Sequence, residues 1–285
     1  MGTLRKQMES DMVVRGMSPR TRESYIASVT DLAKFYKRSP DAVSEHEVQC
    51  YLLHLIQERK LAWSSVNVAA SALKFFYRVT LKRKQAEFCV PGPHQPQRLP
   101  QILSAEEVMR LIEAAANPKH RALLLTTYAA GLRLSEVIRL RVSDIDSSRM
   151  TLRIEQGKGA KDRYALLSPR LLKELRTYWL AFRPKDWLFP NSRDSAKPLG
   201  KHTVHRIYHR AKDKARITKP GGIHALRHAF ATHMLEGGVN VHTIQRLMGH
   251  GDLGTTTRYF HLARAHLANT PSPLELLDTG RAAAQ

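Results

Sequence analysis

Cysteine is scarce in this sequence: Cys50 and Cys89 are the only two among 285 residues. That count argues against a disulfide framework and makes a reducing compartment the default. Cys50 falls in an apolar helical pattern and is expected to be packed. Long apolar runs are missing as well, so nothing is expected to span a bilayer, and no charged-then-apolar leader opens the chain. A soluble, cytoplasmic protein is expected. Internal repeats and low-complexity tracts are also missing. The scarcest commodity is negative charge. Asp and Glu number 25 against 46 Lys and Arg, a formal net charge of +21. A balance this basic favours a polyanionic partner, most often nucleic acid, with a membrane surface or ribosomal association as the bland alternatives. The basic residues run through the whole chain rather than collecting in a tail, which suits a protein that wraps its ligand.

What is present divides into two patterns. Residues 1–15 carry Leu4, Met8 and Met12 at fourfold spacing, a helical repeat. Ser18–Pro19 opens a second helix, with Tyr25, Val29, Leu32 and Phe35–Tyr36 as its stripe. A third runs from about Ser44, where Ser44 and Glu47 have the spacing of a capping box. A fourth starts near Ser64 and carries Val66, Leu73 and Phe76–Tyr77. Four such helices predict a small all-α domain over 1–88. Pro91, Pro93, Pro96 and Pro100 then break any regular structure, so 89–101 reads as a linker. A second domain is expected over 102–270, with a tail at 271–285. Ser104 is an N-cap with Glu107 at the capping-box position. Helices are predicted at about 105–116, 119–130, 134–140, 169–181, 201–215, 222–236 and 240–249, with a short one at 262–268. Two strands, 150–154 and 163–167, bracket Gly157–Lys158–Gly159 as a hairpin. The expected class is mainly α with a small β-hairpin or sheet.

One stretch organises the second domain. His224 and Arg227 stand three apart, so on a helix they share a face. Leu247–Met248–Gly249–His250 follows, and Tyr259 lies nine residues beyond His250. Upstream, Gly131–Leu132–Arg133–Leu134–Ser135–Glu136 supplies another arginine, and the hairpin tip supplies Lys158. Two arginines, a lysine, two histidines and a tyrosine suit attack on a phosphodiester. The arginines can grip nonbridging oxygens and hold the charge that grows in the transition state. A lysine or histidine can protonate the departing sugar oxygen, and the tyrosine can be the covalent nucleophile. Each residue also has an ordinary reading: Arg133 as a solvated helix-start arginine, Lys158 as a surface lysine, His250 as a cap, Tyr259 as a core aromatic. A metal site at His224 and His228, four apart, is set aside because no HExxH-type base and no Cys or carboxylate set lies near.

The ordered set Arg133, Lys158, His224–x–x–Arg227, His250, Tyr259, with Gly–Leu–Arg–x–x–Glu and Leu–Met–Gly–His in place, resembles the tyrosine recombinase (phage integrase) family, Xer-like recombinases included. The resemblance covers roughly 130 to 260. It implies a two-domain, C-shaped DNA clamp, in which a SAM-like helical core-binding domain precedes the catalytic domain. Tyr259 would be the nucleophile, Arg133, Lys158, His224, Arg227 and His250 the other catalytic residues, and Glu136 a supporting acid. Lys161 and Arg163 would have only an electrostatic role, His228 and His233 would pack or cap, and His202, His205 and His209 could touch DNA phosphates. No metal, ATP or other cofactor is implied. The partners would be double-stranded DNA with a specific recombination site and, in the synaptic complex, three further copies of a chain that is monomeric when free. A nucleoid-associated place follows. Integration or excision of mobile DNA and dimer resolution remain open. A type IB topoisomerase-like relaxing enzyme and a non-catalytic DNA-binding protein are the competing readings.

Overall fold

The computed structural model describes residues 2–83, 101–155 and 162–249. The expected linker, Lys158, His250, Tyr259 and the tail lie outside them, except for position 101 of the linker. The chain separates into two compact units, Met1–Gln97 and Arg98–Gln285. Among the described residues, no helix is long and apolar enough to cross a membrane.

The first unit is helical throughout: α1 (Gly2–Val14), α2 (Pro19–Tyr36), α3 (Glu45–Gln57) and α4 (Trp63–Phe75), the last continuing as a π-helical turn over Phe76–Thr80. Local chemistry sets the starts. Ser18 Oγ accepts the Thr21 N–H at 3.2 Å, with Pro19 in the first turn where its missing N–H costs nothing. Ser44 and Glu47 cap one another, Oγ taking the Glu47 N–H and Oε2 taking the Ser44 N–H at 2.9 Å. The helices close over Met8, Met12, Leu32, Leu52, Leu73 and Phe76. Three details differ from the sequence reading. α4 starts at Trp63 behind Ala62, without a side-chain cap. Cys50 is exposed, because the buried face of α3 is Val48, Tyr51, Leu52 and Leu55 and position 50 lies across the helix from it. Phe35, at the edge of the α2 stripe, is 43% exposed and rests on His54.

The second unit holds α5 (Ala105–Glu113), α6 (Pro118–Ala129), α7 (Leu134–Arg139), β1 (Ile145–Asp146), β2 (Thr151–Ile154), β3 (Arg163–Leu166), α8 (Pro169–Phe182), α9 (Lys201–Lys214), α10 (His224–Glu236) and α11 (Val241–Met248). Ser104 and Glu107 form the capping box of α5, and Lys219 Nζ ties Glu107 Oε2 (2.6 Å) and the Ile102 carbonyl (2.8 Å) to the chain ahead of α10. The sheet is antiparallel in the order β1-β2-β3. Its third member, β1, is two residues long and carries no alternation to announce it; pairing of Ile145 with Leu152 makes it a strand. The core runs from α5 and α6 through the sheet to α8, α9 and the start of α10.

The register of β3 departs from what its composition suggests. Ile154 pairs with Arg163 and Leu152 with Ala165. Cross-strand partners share a face of the sheet, and Ile154 and Leu152 are buried. Arg163 and Ala165 therefore point inward, while Tyr164 (61% exposed) and Leu166 (41%) face out.

A candidate phosphodiester site built around one carboxylate

Four segments converge beside Glu136. Arg133 caps α7 through Glu136: the Arg133 N–H donates to Oε2 at 2.9 Å and its Nη1 to Oε1 at 2.7 Å. Arg133 Nη2 reaches the Gly249 carbonyl at the end of α11, also at 2.9 Å. Arg227, on the buried side of α10, donates from Nη1 to the Gly131 carbonyl (2.6 Å) and from Nη2 to the Met248 carbonyl (2.7 Å), with Nη1 3.8 Å from Glu136 Oε2. The two arginines thus share a carboxylate and the last turn of α11, though ninety-four residues apart in sequence.

Gly131 makes this convergence possible. Its φ of +59° is left-handed, and a Cβ there would sit 2.5 Å from the Phe230 ring of α10. Only glycine lets α10 approach closely enough for its Arg227 to take the Gly131 carbonyl. Gly249, with φ +63°, ends α11 in the same left-handed way, its N–H returned to the Arg246 carbonyl at 3.2 Å.

The charges respond as geometry requires. Burial by itself would raise the Glu136 pKa, but the Arg163 guanidinium, then the Arg133 N–H and side chain, hold the carboxyl below its usual value. It stays ionised. His224 heads α10 and is exposed on its outer side. Desolvation by its neighbours lowers its pKa first, and Arg227, His205 and Arg133 lower it further against Glu136. The ring is held neutral near pH 7 and can accept a proton or a hydrogen bond. His228, one turn along, is lowered chiefly by burial. His233 pairs its Nδ1 with Tyr128 Oη at 2.9 Å. His205 reaches within 3.9 Å of where a Gly222 side chain would stand, at the edge of the site.

Of the seven positions singled out from sequence, the structure brings together Arg133, Glu136 and Arg227, with His224 adjoining them. Lys158, His250 and Tyr259 fall outside the described residues. One residue was undervalued. Arg163, read as a merely electrostatic neighbour, is a nearly buried side chain (11% exposed) whose Nη2 donates to Glu136 Oε2 at 2.7 Å. The available signal was its parity with Ala165 in the strand, which places it inside once Leu152 and Ile154 define the inner face.

The model of the phage integrase family matches residues 101–266, and that of the phage integrase N-terminal SAM-like domain matches 4–87. A Sinorhizobium fredii protein provisionally named integrase/recombinase y4qK is 46% identical, over 97% of this chain and 90% of its own. Tyrosine recombinase XerA of Thermococcus onnurineus is 32% identical, over 96% and 95%. The crystal structure of a lambda integrase tetramer bound to a Holliday junction shares the fold, with a TM-score of 0.73 at 18% identity over 90% of this chain and 76% of that one. The chain belongs to the phage integrase family, and it is a site-specific DNA recombinase of the tyrosine type.

Proposed function

We propose that the chain recombines double-stranded DNA at a specific site through a 3′-phosphotyrosyl intermediate on Tyr259. The phenolic oxygen attacks the scissile phosphorus and its proton passes to a base at the site, for which neutral His224 is suited. The bond to the 5′ oxygen breaks, and that oxygen leaves as a hydroxyl with a proton from Lys158. Arg133, Arg227 and His250 hold the nonbridging oxygens. A hydroxyl from a partner strand then attacks the phosphotyrosyl bond and restores a phosphodiester, so the bond energy is conserved and no external energy source enters the balance. The observation that carries this reading is the convergence of Arg133 and Arg227 on Glu136 and the last turn of α11. Two forked cations held a few ångströms apart match one phosphodiester anion.

In this reading residues 1–88 bind DNA as the core-binding domain, 89–101 link, 102–270 catalyse, and the tail over 271–285 docks on a neighbouring protomer. The free chain is a monomer and four copies form the synapse, a number in keeping with the lambda integrase tetramer bound to a Holliday junction. The work is integration and excision of mobile DNA or dimer resolution, in the cytoplasm at the nucleoid.

The test is covalent trapping. Wild type and Tyr259→Phe are incubated with nicked duplexes tiled from DNA flanking the gene, then run on a denaturing gel. A shifted protein–DNA band from wild type alone is the expected result. A band persisting in Tyr259→Phe would move the nucleophile to another tyrosine, and tight binding with no band would favour a non-catalytic DNA-binding protein.

A further inference from the structure

Arg163 is unusual among the buried groups of the second unit. Its Nη2 donates to Glu136 Oε2, the same oxygen that accepts the Arg133 N–H and lies 3.8 Å from Arg227 Nη1. One carboxylate is therefore shared by three guanidinium groups. Arg163 Nε and Nη1 are buried with no acceptor among the described residues. Its Cδ and Nε lie 2.6 Å from where a Gly249 side chain would begin, so the side chain packs against the turn whose carbonyl holds Arg133 Nη2. A third guanidinium, nearly buried and with two donors that meet no acceptor among the described residues, is a costly way to fill space, since an apolar side chain of similar length would pack there without desolvating a charge.

We infer that Arg163 is a positioning residue for strand cleavage: it fixes Glu136 against Arg133 and braces the Gly249 turn, so that the Arg133 and Arg227 guanidiniums are already in place when the scissile phosphate arrives. Three guanidiniums around one carboxylate leave the cluster with excess positive charge, which entry of that anion reduces. Arg163 acts through Glu136 and Gly249 and makes no bond to the reacting atoms. The inference rests on the proposed role of Arg133 and Arg227 in gripping the phosphate.

The experiment measures the rate of Tyr259-dependent covalent band formation, at saturating nicked duplex, for wild type, Arg163→Met, Arg163→Lys, Glu136→Gln and the Arg163→Met/Glu136→Gln double variant, with DNA affinity and thermal midpoint alongside. Arg163→Met is expected to keep its fold and its affinity while slowing cleavage by roughly 100-fold, the scale of loss when supporting residues let reacting groups drift. Arg163→Lys, which keeps the charge without the fork, falls between. The double variant is expected to be no slower than the slower single variant, because both act through one carboxylate. In the DNA-free protein, amide exchange over 246–249 should quicken in Arg163→Met, while exchange in α8 stays as in wild type. Wild-type cleavage by Arg163→Met, multiplicative effects in the double variant, or unchanged exchange over 246–249 would each overturn the inference. Absence of the band from wild type would instead overturn the proposed function, and the kinetic role of Arg163 with it. Should Arg163→Met fail to fold, the Arg163→Lys rate and its cycle with Glu136→Gln decide.

Discussion

Glu136 shows how much one buried carboxylate can organise. It is 6% exposed and carries its charge only because Arg133, Arg163 and Arg227 surround it. Removing one member of a buried ion cluster strands the others, at a cost on the order of 3 kcal/mol. Glu136→Gln should therefore destabilise the second unit by about that amount at pH 7, measured by urea unfolding. The sign of its pH dependence is fixed. The folded pKa lies below the ordinary glutamate value of 4.5, so the stabilisation is fully present above that value and is lost as pH falls through the folded pKa. The gap between wild type and Glu136→Gln should narrow over that window, and a gap constant down to pH 3 would show that the charge contributes nothing. The pairing of Glu136 with Arg133 was legible in the Gly–Leu–Arg–x–x–Glu spacing. That Glu136 serves three arginines was not, because Arg163 joins from a strand twenty-seven residues on.

Among the elements, α7 and α10 meet the site through glycines. Gly131→Ala would force a left-handed residue with a Cβ 2.5 Å from the Phe230 ring. Backbone strain and overpacking together should cost about 3 kcal/mol. Adding Phe230→Leu should recover the packing part and leave the backbone part. A Gly131→Ala protein as stable as wild type would show that α10 can retreat freely. Helix starts were the most readable features, since Ser18, Ser44 and Ser104 cap within their own turn and need no distant partner. Strands were less so. β1 exists only through pairing with β2, and β3 turns its tyrosine outward and its arginine inward because β2 sets the register. Cys50 and Phe35 show the same limit on helices, where a wide apolar stripe does not say which of its edges a neighbour covers.

At the scale of the molecule, the two compact units divide near the proline-rich stretch read from sequence as 89–101. Brief trypsin treatment should cut first at Arg98, in that stretch, and leave two protease-resistant fragments, read by mass spectrometry. First cuts inside α2 or α8 would refute the division. The net charge of +21 belongs to this scale too, and DNA binding by this recombinase is expected to fall with added salt.

The sequence by itself determined the helical class, the caps at Ser18, Ser44 and Ser104 and the order of the motif residues, because each depends on spacing within a turn or two of chain. Tertiary structure alone decided that Arg133, Glu136, Arg163 and Arg227 share one charge cluster. It also decided that Gly131 and Gly249 must be bare and that β3 buries its arginine. Those outcomes depend on which surfaces far apart in the chain are pressed together, and on the cost of leaving charge unpaired where they meet.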